Sequence, residues 1–418
     1  MHFLPRISAT LLLAIGAWLP AADLAVKSGD HVAIIGDSIT EQRTYSRFIE
    51  VYLLASSGVE HLDIAQFGWG GERASGWVGR WSKSVAWFKP TVATTCYGMN
   101  DGSYTAYTDE IGKTYRDNTV TYTEQMLKAG LRELVIGSPG AVDTTTWKKP
   151  MGPAAYNDNL AKLGGLGKAI AADKGVRFAD VHQPMIDAMA KAKAAYGDAY
   201  HVCGSDGVHP DQNGHLLMAA AYLSALGCDG AIAKITFTAD GKVEASAGHV
   251  ISKSEAGSVE LDSSRWPFVL GGDGKAPNST RSIVPYTDFL AKLDRFEVVM
   301  PGCTWAKAKI TWGDKDVVVD GAQLKAGVNL MAVFTATPFD APADALQKAV
   351  ASQQEVETML VKNVICFGVR PALETDPASA AIFQQLIDRQ VGLRNERFAA
   401  VQAVLKPVHH RIAISKAE

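Results

Sequence analysis

Short apolar segments alternate with longer amphipathic segments through residues 30–226. The apolar segments are bounded by Gly, Pro or Asp, which is typical of buried parallel strands. Strands are predicted over residues 31–35, 61–66, 92–97, 133–137 and 176–181. Helices are predicted over residues 41–57, 115–129, 154–172 and 213–226, where apolar positions recur at helical spacing. Repeated strand–helix–strand units predict a parallel sheet with helices on both faces.

The pattern changes after residue 230. Short alternating segments separated by Gly and Asp turns fill residues 232–335 and favour antiparallel β-structure. Two long helices are then predicted over residues 343–364 and 379–405. We therefore expect an α/β domain over residues 23–230, a β-rich accessory region over 231–340 and a helical region over 341–418.

Residues 1–22 have the layout of a secretory signal peptide. Arg6 precedes an apolar run over residues 7–19, and the small residues Ala21 and Ala22 follow it. The apolar run is shorter than the ~20 residues that span a bilayer. We expect a secreted or periplasmic protein with no stable membrane insertion after cleavage, although an uncleaved anchor is the alternative.

Composition narrows the class of partner. The chain is 47% hydrophobic and 20% charged, with a formal net charge of −3, so it is an ordinary globular protein. It lacks the basic surplus with which nucleic-acid binders neutralise phosphates. Five cysteines cannot all pair internally. Two disulfides are possible, one between Cys203 and Cys228 and one between Cys303 and Cys366, and the sequence leaves both open.

Ser38 lies between the first predicted strand and the helix that follows it. Ligands of open parallel sheets bind beyond the carboxyl ends of the strands, and the free N–H groups of a helix start stabilise negative charge there. Ser38 is therefore a candidate nucleophile. Considered alone, this segment favours the simpler interpretation that Ser38 or Asp37 caps the helix.

His209 is the natural base for such a serine, because imidazole is the side chain that titrates near neutral pH. Asp206, three residues earlier, can orient the ring and stabilise the imidazolium. A loop histidine beside a capping aspartate is the alternative. Two further segments follow predicted strands and contain candidate donors to an oxyanion, the backbone N–H of Gly71 and the side-chain amide of Asn100. Ordinary turn residues would look the same.

Together these segments resemble the blocks of the SGNH (GDSL-type) hydrolase family. The blocks are Gly36-Asp37-Ser38-Ile39, Gly70-Gly71-Glu72, Gly98-Met99-Asn100-Asp101 and Asp206-Gly207-Val208-His209-Pro210. All four occur in family order within residues 30–226. Two positions depart from the family pattern: Gly70, where many members have Ser, and Gln66, where Asn is common.

The resemblance implies a flavodoxin-like three-layer α/β/α sandwich with five parallel strands. It implies a Ser-His-Asp acyl-enzyme mechanism, with Ser38 as nucleophile, His209 as base and Asp206 orienting His209. The oxyanion donors would be the N–H groups of Ser38 and Gly71 and the amide of Asn100. We expect no cofactor and no metal, because each role already has a protein group.

Aromatic residues suggest the substrate. Trp69, Trp77, Trp81 and Trp87 follow the second strand, Tyr104 and Tyr107 follow Asn100, and Arg73 and Arg80 lie nearby in the sequence. Rings beside a serine could stack on sugars, which favours a small-molecule or oligosaccharide ester such as an acetylated carbohydrate. Core packing of these rings is the alternative. A lipase or thioesterase-type acyl hydrolase, and a carbohydrate-binding protein on a hydrolase scaffold, also remain open.

The accessory region carries three more tryptophans, Trp266, Trp305 and Trp312. We expect these rings to be exposed, which favours a carbohydrate-binding module over residues 232–335. A lid or packing element is the alternative. Near the end of the chain, the isolated pair His409-His410 is expected at the surface.

Overall fold

The computed structural model describes residues 23–272, 274–366 and 375–417. The predicted signal peptide at residues 1–22 lies outside the described residues. Among the helices of the described ranges, none is both long and apolar enough to cross a bilayer.

A five-stranded parallel sheet forms the centre of the first half of the chain, with strand order β2-β1-β3-β4-β5. The strands are β1 (His31–Gly36), β2 (Asp63–Gly68), β3 (Val92–Cys96), β4 (Glu133–Gly137) and β5 (Arg177–Ala179). All five were predicted, with ends that differ by at most two residues. The predicted fold class is confirmed.

Helices cover both faces of this sheet. They are α1 (Ser38–Glu41), α2 (Tyr45–Ala55), α3 (Ala74–Val85), α4 (Asp109–Lys128), α5 (Pro153–Lys174), α6 (His182–Tyr196) and α7 (Gln212–Ala225). Alternate residues of β1 point to opposite faces of the sheet and so contact different helices. Val32 and Ile34 pack with α2, α6 and α7. Ala33 and Ile35 pack with α3, α4 and α5.

Two sheets occupy the second half. One has the order β13-β10-β6-β7, and the other the order β12-β11-β14-β9-β8. Their strands are β6 (Ala231–Phe237), β7 (Val243–Ala245), β8 (His249–Glu255), β9 (Ser258–Ser263), β10 (Arg295–Val299), β11 (Lys307–Trp312), β12 (Lys315–Asp320), β13 (Val328–Asn329) and β14 (Val408–Lys416). The accompanying helices are α8 (Thr280–Ile283), a 3-10 turn (Val284–Tyr286), α9 (Phe289–Lys292), α10 (Gly321–Ala326), α11 (Leu330–Val333), α12 (Asp340–Met359), a π-helical turn (Leu360–Ile365) and α13 (Pro377–Val404).

Two expectations for this half are wrong in part. β6 and β10 pair in parallel rather than antiparallel, because the long intervening chain lets β10 return in the same direction. The region 341–418 is not wholly helical, since β14 lies between β9 and β11. The β-rich and helical regions therefore share one apolar core, in which Ile412 of β14 packs with Leu346 of α12 and Val401 of α13.

The expected exposure of the accessory tryptophans is also wrong. Trp266 and Trp312 are 2% and 0% exposed and belong to that core, whereas Trp305 is half-buried. A carbohydrate-binding module therefore loses the observation that motivated it. All five cysteines are free thiols, so neither candidate disulfide forms.

Helices α12 and α13 cover the outer edge of β2, the edge strand of the parallel sheet. Ile64 O accepts hydrogen bonds from Gln353 Nε2 at 3.0 Å and Arg394 Nη2 at 2.7 Å. Gln66 N donates to Glu357 Oε2 at 3.0 Å. Edge strands usually leave such groups unpaired. Here, buried side chains of the C-terminal helices satisfy them.

Candidate active site

Ser38 begins α1 directly beyond the end of β1. Asp37 caps this helix, because its Oδ1 accepts from Ile39 N at 2.9 Å. The helix lies close to the strand ends, since a Cβ at Gly36 would be 2.2 Å from Thr40 Oγ1. Glycine at that position therefore lets the serine approach the edge of the sheet.

The structure brings Ser38, His209 and Asp206 together. Ser38 Oγ is 2.8 Å from His209 Nε2, and His209 Nδ1 is 2.7 Å from Asp206 Oδ2. An ionised carboxylate only accepts hydrogen bonds, so Nδ1 carries the proton and the Nε2 lone pair faces the serine hydroxyl. His209 is thus in the tautomer that can accept the proton of Ser38.

Asp206 is held in this orientation by the backbone. Its Oδ1 accepts from the N–H groups of Val208 and His209, each at 2.9 Å. Partial burial opposes ionisation of Asp206, but these hydrogen bonds and the His209 ring hold the pKa of its carboxyl below the usual range. The carboxylate therefore stays charged behind the histidine.

Asn100 and Gly71 lie at the same edge of the sheet. Asn100 Nδ2 is 3.4 Å from Asp37 Oδ2, next to Ser38, and 3.1 Å from Glu72 O. Gly71 precedes Glu72 and has a φ of +73°, in the left-handed region. The structure therefore gathers all the candidate site residues, from four distant segments, at one place.

A polar layer behind the candidate donors was not predicted from sequence. Glu72 is buried and binds Arg80 Nη2 and the Tyr97 hydroxyl through Oε2, at 2.7 and 2.6 Å. Asp101 accepts from Ala74 N and Gly98 N, both at 3.0 Å, and so connects the third block to α3. These contacts fix the backbone segments that carry Gly71 and Asn100.

Tyr104 orients the amide of Asn100. Its hydroxyl donates to Asn100 Oδ1 at 3.1 Å, which leaves Nδ2 directed at Asp37 and Glu72 O. Ser103 and Tyr104 have φ values of +57° and +55°. Such values are uncommon outside glycine and cluster at functional sites. Two consecutive left-handed residues could not be predicted from this sequence.

Burial also raises the pKa of two carboxyl groups near the serine. Burial, with Asp101 and Glu72 nearby, raises the pKa of Asp37 to about 7. It likewise raises the pKa of Asp101 to about 6, although backbone N–H groups oppose the change. Within the described ranges, no group of three or more His, Cys, Asp or Glu side chains is arranged to hold a metal ion.

The predicted aromatic cluster is only partly at the site. Trp77 is fully buried, and Trp81 and Trp87 pack against the same core. Trp69 is half-buried, and its ring lies 5.0 Å from the Arg80 guanidinium and 5.2 Å from the Lys362 ammonium. Arg80 is occupied by Glu72 and is not free for a substrate.

Trp147 is an aromatic residue that sequence reasoning missed. Its ring stacks on Tyr156 at 5.2 Å and lies 6.1 Å from the ring of Tyr104. Its backbone packs against Gly207, between Asp206 and His209, where a Cβ would be 2.6 Å from Trp147 Cα. Nothing in the sequence around Trp147 indicates this contact, because the two loops meet only in the fold.

The first half of the chain matches a known family. The model of the GDSL-like lipase/acylhydrolase family matches residues 34–217. Residues 34–217 are a GDSL-like lipase/acylhydrolase domain. Membership places the domain among the hydrolases that act on ester bonds. No curated protein matches the chain.

A solved structure shares the fold. A gut microbial diltiazem-metabolizing enzyme, BT4096, is 21% identical with a TM-score of 0.74, and the match covers 94% of this chain and 98% of that one. This likeness extends through the β-rich and C-terminal regions. The acetylxylan esterase Axe2 from Geobacillus stearothermophilus is 19% identical with a TM-score of 0.40, covering 49% of this chain and 96% of that one.

Proposed function

We propose that this GDSL-like domain is a serine esterase that forms its acyl-enzyme on Ser38. The supporting observation is the hydrogen-bonded chain from Ser38 Oγ to His209 Nε2 at 2.8 Å and from His209 Nδ1 to Asp206 at 2.7 Å. A serine hydroxyl needs such a base to become a nucleophile.

In the first half-reaction, Ser38 Oγ attacks the ester carbonyl carbon while His209 Nε2 takes the hydroxyl proton. The N–H groups of Ser38 and Gly71 and the Asn100 amide donate to the oxyanion. The bond to the alcohol oxygen breaks, and His209 returns its proton to the departing alcohol. Asp206 stabilises the imidazolium and keeps Nδ1 protonated.

Water completes the cycle. His209 takes a proton from a water molecule, whose oxygen attacks the acyl carbon of the ester on Ser38. The bond from Ser38 Oγ to the acyl carbon breaks, the serine regains its proton from His209, and the carboxylic acid leaves. One positioned base and one oxyanion donor are each worth about 10²-fold or more in rate.

For the substrate class, we propose an acetylated carbohydrate. Half-buried rings flank the site, Trp69 beside the Gly71 segment and Trp147 beside the His209 loop. The site is open, with 35% of the His209 side chain and 50% of the Asp206 side chain exposed. An open site with rings on two sides suits a bulky, polar alcohol portion. The sequence of residues 1–22 supports secretion, where such polymers are met.

Hydrolysis of p-nitrophenyl acetate by the wild type and by Ser38→Ala tests the proposed activity. We expect the variant to lose nearly all turnover, and equal rates would contradict the proposal. Acid release from acetylated oligosaccharides, acyl thioesters and long-chain lipid esters then tests the substrate class. Preference for thioesters or lipids over acetylated sugars would overturn the carbohydrate assignment while leaving the esterase mechanism in place.

A further inference from the structure

We propose that Lys362 and Glu41 act together as positioning residues for the oxyanion loop, defined as residues 69–72. This inference rests on the proposed esterase function and makes the C-terminal region part of the active site. Lys362 lies in the π-helical turn that follows α12, far outside residues 34–217.

The contacts form a continuous chain. The N–H of Gly70 donates to Glu41 Oε2. The other oxygen of the same carboxylate, Oε1, accepts from Lys362 Nζ at 2.5 Å. Glu41 ends α1, the helix that Ser38 begins. One carboxylate therefore connects the nucleophile's helix, the oxyanion loop and the C-terminal region.

A second contact of Lys362 reaches the same loop. Trp69 is the residue before Gly70, and the Lys362 ammonium lies 5.2 Å from the centre of its ring. At this distance an ammonium is attracted to the face of an indole. Lys362 thus restrains the oxyanion loop both through Glu41 and through Trp69.

Helix α12, which precedes Lys362, also holds the end of β2 from which the oxyanion loop starts. Gln66 Oε1 accepts from Gly68 N at 2.9 Å, while its Nε2 donates to Thr358 Oγ1 at 2.6 Å. Gln66 and Gly70 are the two positions that depart from the family pattern. A glutamine is one methylene longer than asparagine, and here its amide spans from the end of β2 to α12. Both departures therefore lie where the C-terminal region contacts the hydrolase domain.

Helix α12 and the π-helical turn that follows it provide these contacts, and α12 is anchored to the parallel sheet through α13. Arg394 of α13 is fully buried, with Nε 3.0 Å from Glu357 Oε1 of α12 and Nη2 2.5 Å from Asp63 Oδ1 of β2. The change from α- to π-helix at Leu360 alters the angular position of the residues that follow, including Lys362. π-helical turns are rare and occur frequently at functional sites.

A Cβ at Gly71 would have no atom within 4 Å, so packing on that side does not fix its left-handed backbone. The restraints on the neighbouring residues of the oxyanion loop therefore matter for the direction of its N–H. Loss of one oxyanion donor costs about 10²–10³-fold in kcat, and small misplacements of such groups are costly. Removing one of several restraints should cost about tenfold. The loss should appear in kcat rather than KM, because the donor acts on the transition state.

The test compares three variants of the full chain on p-nitrophenyl acetate. Lys362→Met removes the ammonium, and we expect kcat to fall about tenfold with KM within about twofold of the wild type. Lys362→Arg keeps the charge and should retain at least half of the wild-type kcat. Lys348→Met is the matched control, because Lys348 lies on α12 and its ion-pair partner among the described residues is the exposed Asp344, at 2.6 Å. It should leave kcat unchanged.

A double variant separates positioning from a general structural effect. Lys362→Met should lower kcat less in the Glu41→Gln background than in the wild type, because only its contact with Trp69 then remains to be lost. Multiplying effects would overturn the proposal, as would a Lys362→Met kcat within twofold of the wild type. Should Glu41→Gln fail to fold, the Lys362 variants and their control decide.

The outcomes also distinguish this inference from the proposed function. Wild-type hydrolysis that does not depend on Ser38 contradicts the esterase mechanism and, with it, this inference. Ser38-dependent hydrolysis that is insensitive to Lys362→Met contradicts only the role of Lys362.

Discussion

The protein contains two serine–histidine contacts of the same length. Ser38 Oγ is 2.8 Å from His209 Nε2 at the end of the parallel sheet, and Ser263 Oγ is 2.8 Å from His410 Nε2 within the accessory β-sheet. Distance alone does not separate them. Their surroundings do, and these differences show what makes a serine a candidate nucleophile.

The two histidines carry their protons on opposite nitrogens. The Trp312 indole can only donate, and it reaches His410 Nδ1 at 3.2 Å, so His410 Nε2 holds the proton and donates to Ser263. The Ser263 hydroxyl then donates to His249 Nδ1 at 2.8 Å. In the candidate site, Asp206 keeps the proton on Nδ1 of His209 and leaves Nε2 free to accept.

Burial reinforces this difference. Ser263 and His410 are 0% and 3% exposed. Burial, together with His249 and His409, lowers the pKa of His410 to about 3, so this ring remains neutral. Among the described residues, the nearby Asp262 carboxylate only partly offsets this burial at His410, whereas the Asp206 carboxylate hydrogen-bonds the His209 ring directly. The buried contact is therefore part of the core, and the open one is suited to proton transfer.

The strongest challenge to this contrast is to remove each serine in turn. If Ser38 is the nucleophile, Ser38→Ala should lower kcat at least about 10⁴-fold, the scale seen when serine hydrolases lose the nucleophile. Ser263→Ala should leave kcat within about twofold but lower the free energy of unfolding by about 1–3 kcal/mol, because buried partners become unpaired. Steady-state kinetics and denaturant unfolding of both variants provide the measurements. Activity that followed Ser263 instead would reverse the assignment.

The candidate site also has candidate oxyanion donors, whereas the Ser263 hydroxyl contacts two histidines, which do not offer such a set. Asn100→Ala should lower kcat about 10²–10³-fold with little change in KM, because the amide acts on the transition state. Asn118→Ala is the control, since the half-buried Asn118 side chain donates to Thr114 O of its own helix, away from the candidate site. If Asn100→Ala matched this control, the amide would have no role in the reaction.

The pH dependence of the free energy of unfolding tests whether the buried His410 stays neutral in the folded protein. Folded protein keeps His410 neutral down to a pH near 3, whereas the unfolded chain binds a proton below about pH 6.5. Unfolding therefore becomes more favourable as the pH falls below about 6.5. Between pH 7.5 and 5.0, the wild type should lose about 2 kcal/mol more stability than His410→Gln. Equal losses in denaturant titrations at the two pH values would show that His410 can be protonated in the folded state.

The smallest expected effect concerns the orientation of Asn100. Tyr104→Phe removes the hydroxyl that donates to Asn100 Oδ1, and a neutral hydrogen bond is worth about 0.5–1.5 kcal/mol. We therefore expect kcat to fall about two- to twelvefold. Tyr107→Phe serves as the control, since Tyr107 lies in the same segment without bonding Asn100. An unchanged kcat for Tyr104→Phe would mean that Glu72 and Asp37 orient the amide without it.

Sequence reasoning succeeded where information is local. Strands of the parallel sheet could be predicted because each is a short apolar run between turn residues, and the four blocks follow or precede these elements. Consequently the gathering of Ser38, His209, Asp206, Asn100 and Gly71 at one edge was anticipated. Their catalytic roles stay predictions until the variants are measured.

Non-local contacts could not be predicted in the same way. Lys362 meets Glu41 across 321 residues, and no local pattern indicates the pairing. β14 was missed because its alternation of buried His410, Ile412 and Ile414 has meaning only between two partner strands. For the same reason, the expectation that His409 and His410 both lie at the surface is confirmed only for His409, which is 59% exposed.

The most direct measurement is the site of acylation during turnover. Wild-type protein mixed with p-nitrophenyl acetate can be quenched in acid and analysed by peptide mass spectrometry. We predict one acetyl group, on Ser38, and its absence from His209→Ala treated identically. An acetyl group on Ser263 or any other residue of an actively hydrolysing enzyme, with Ser38 unmodified, would contradict the account.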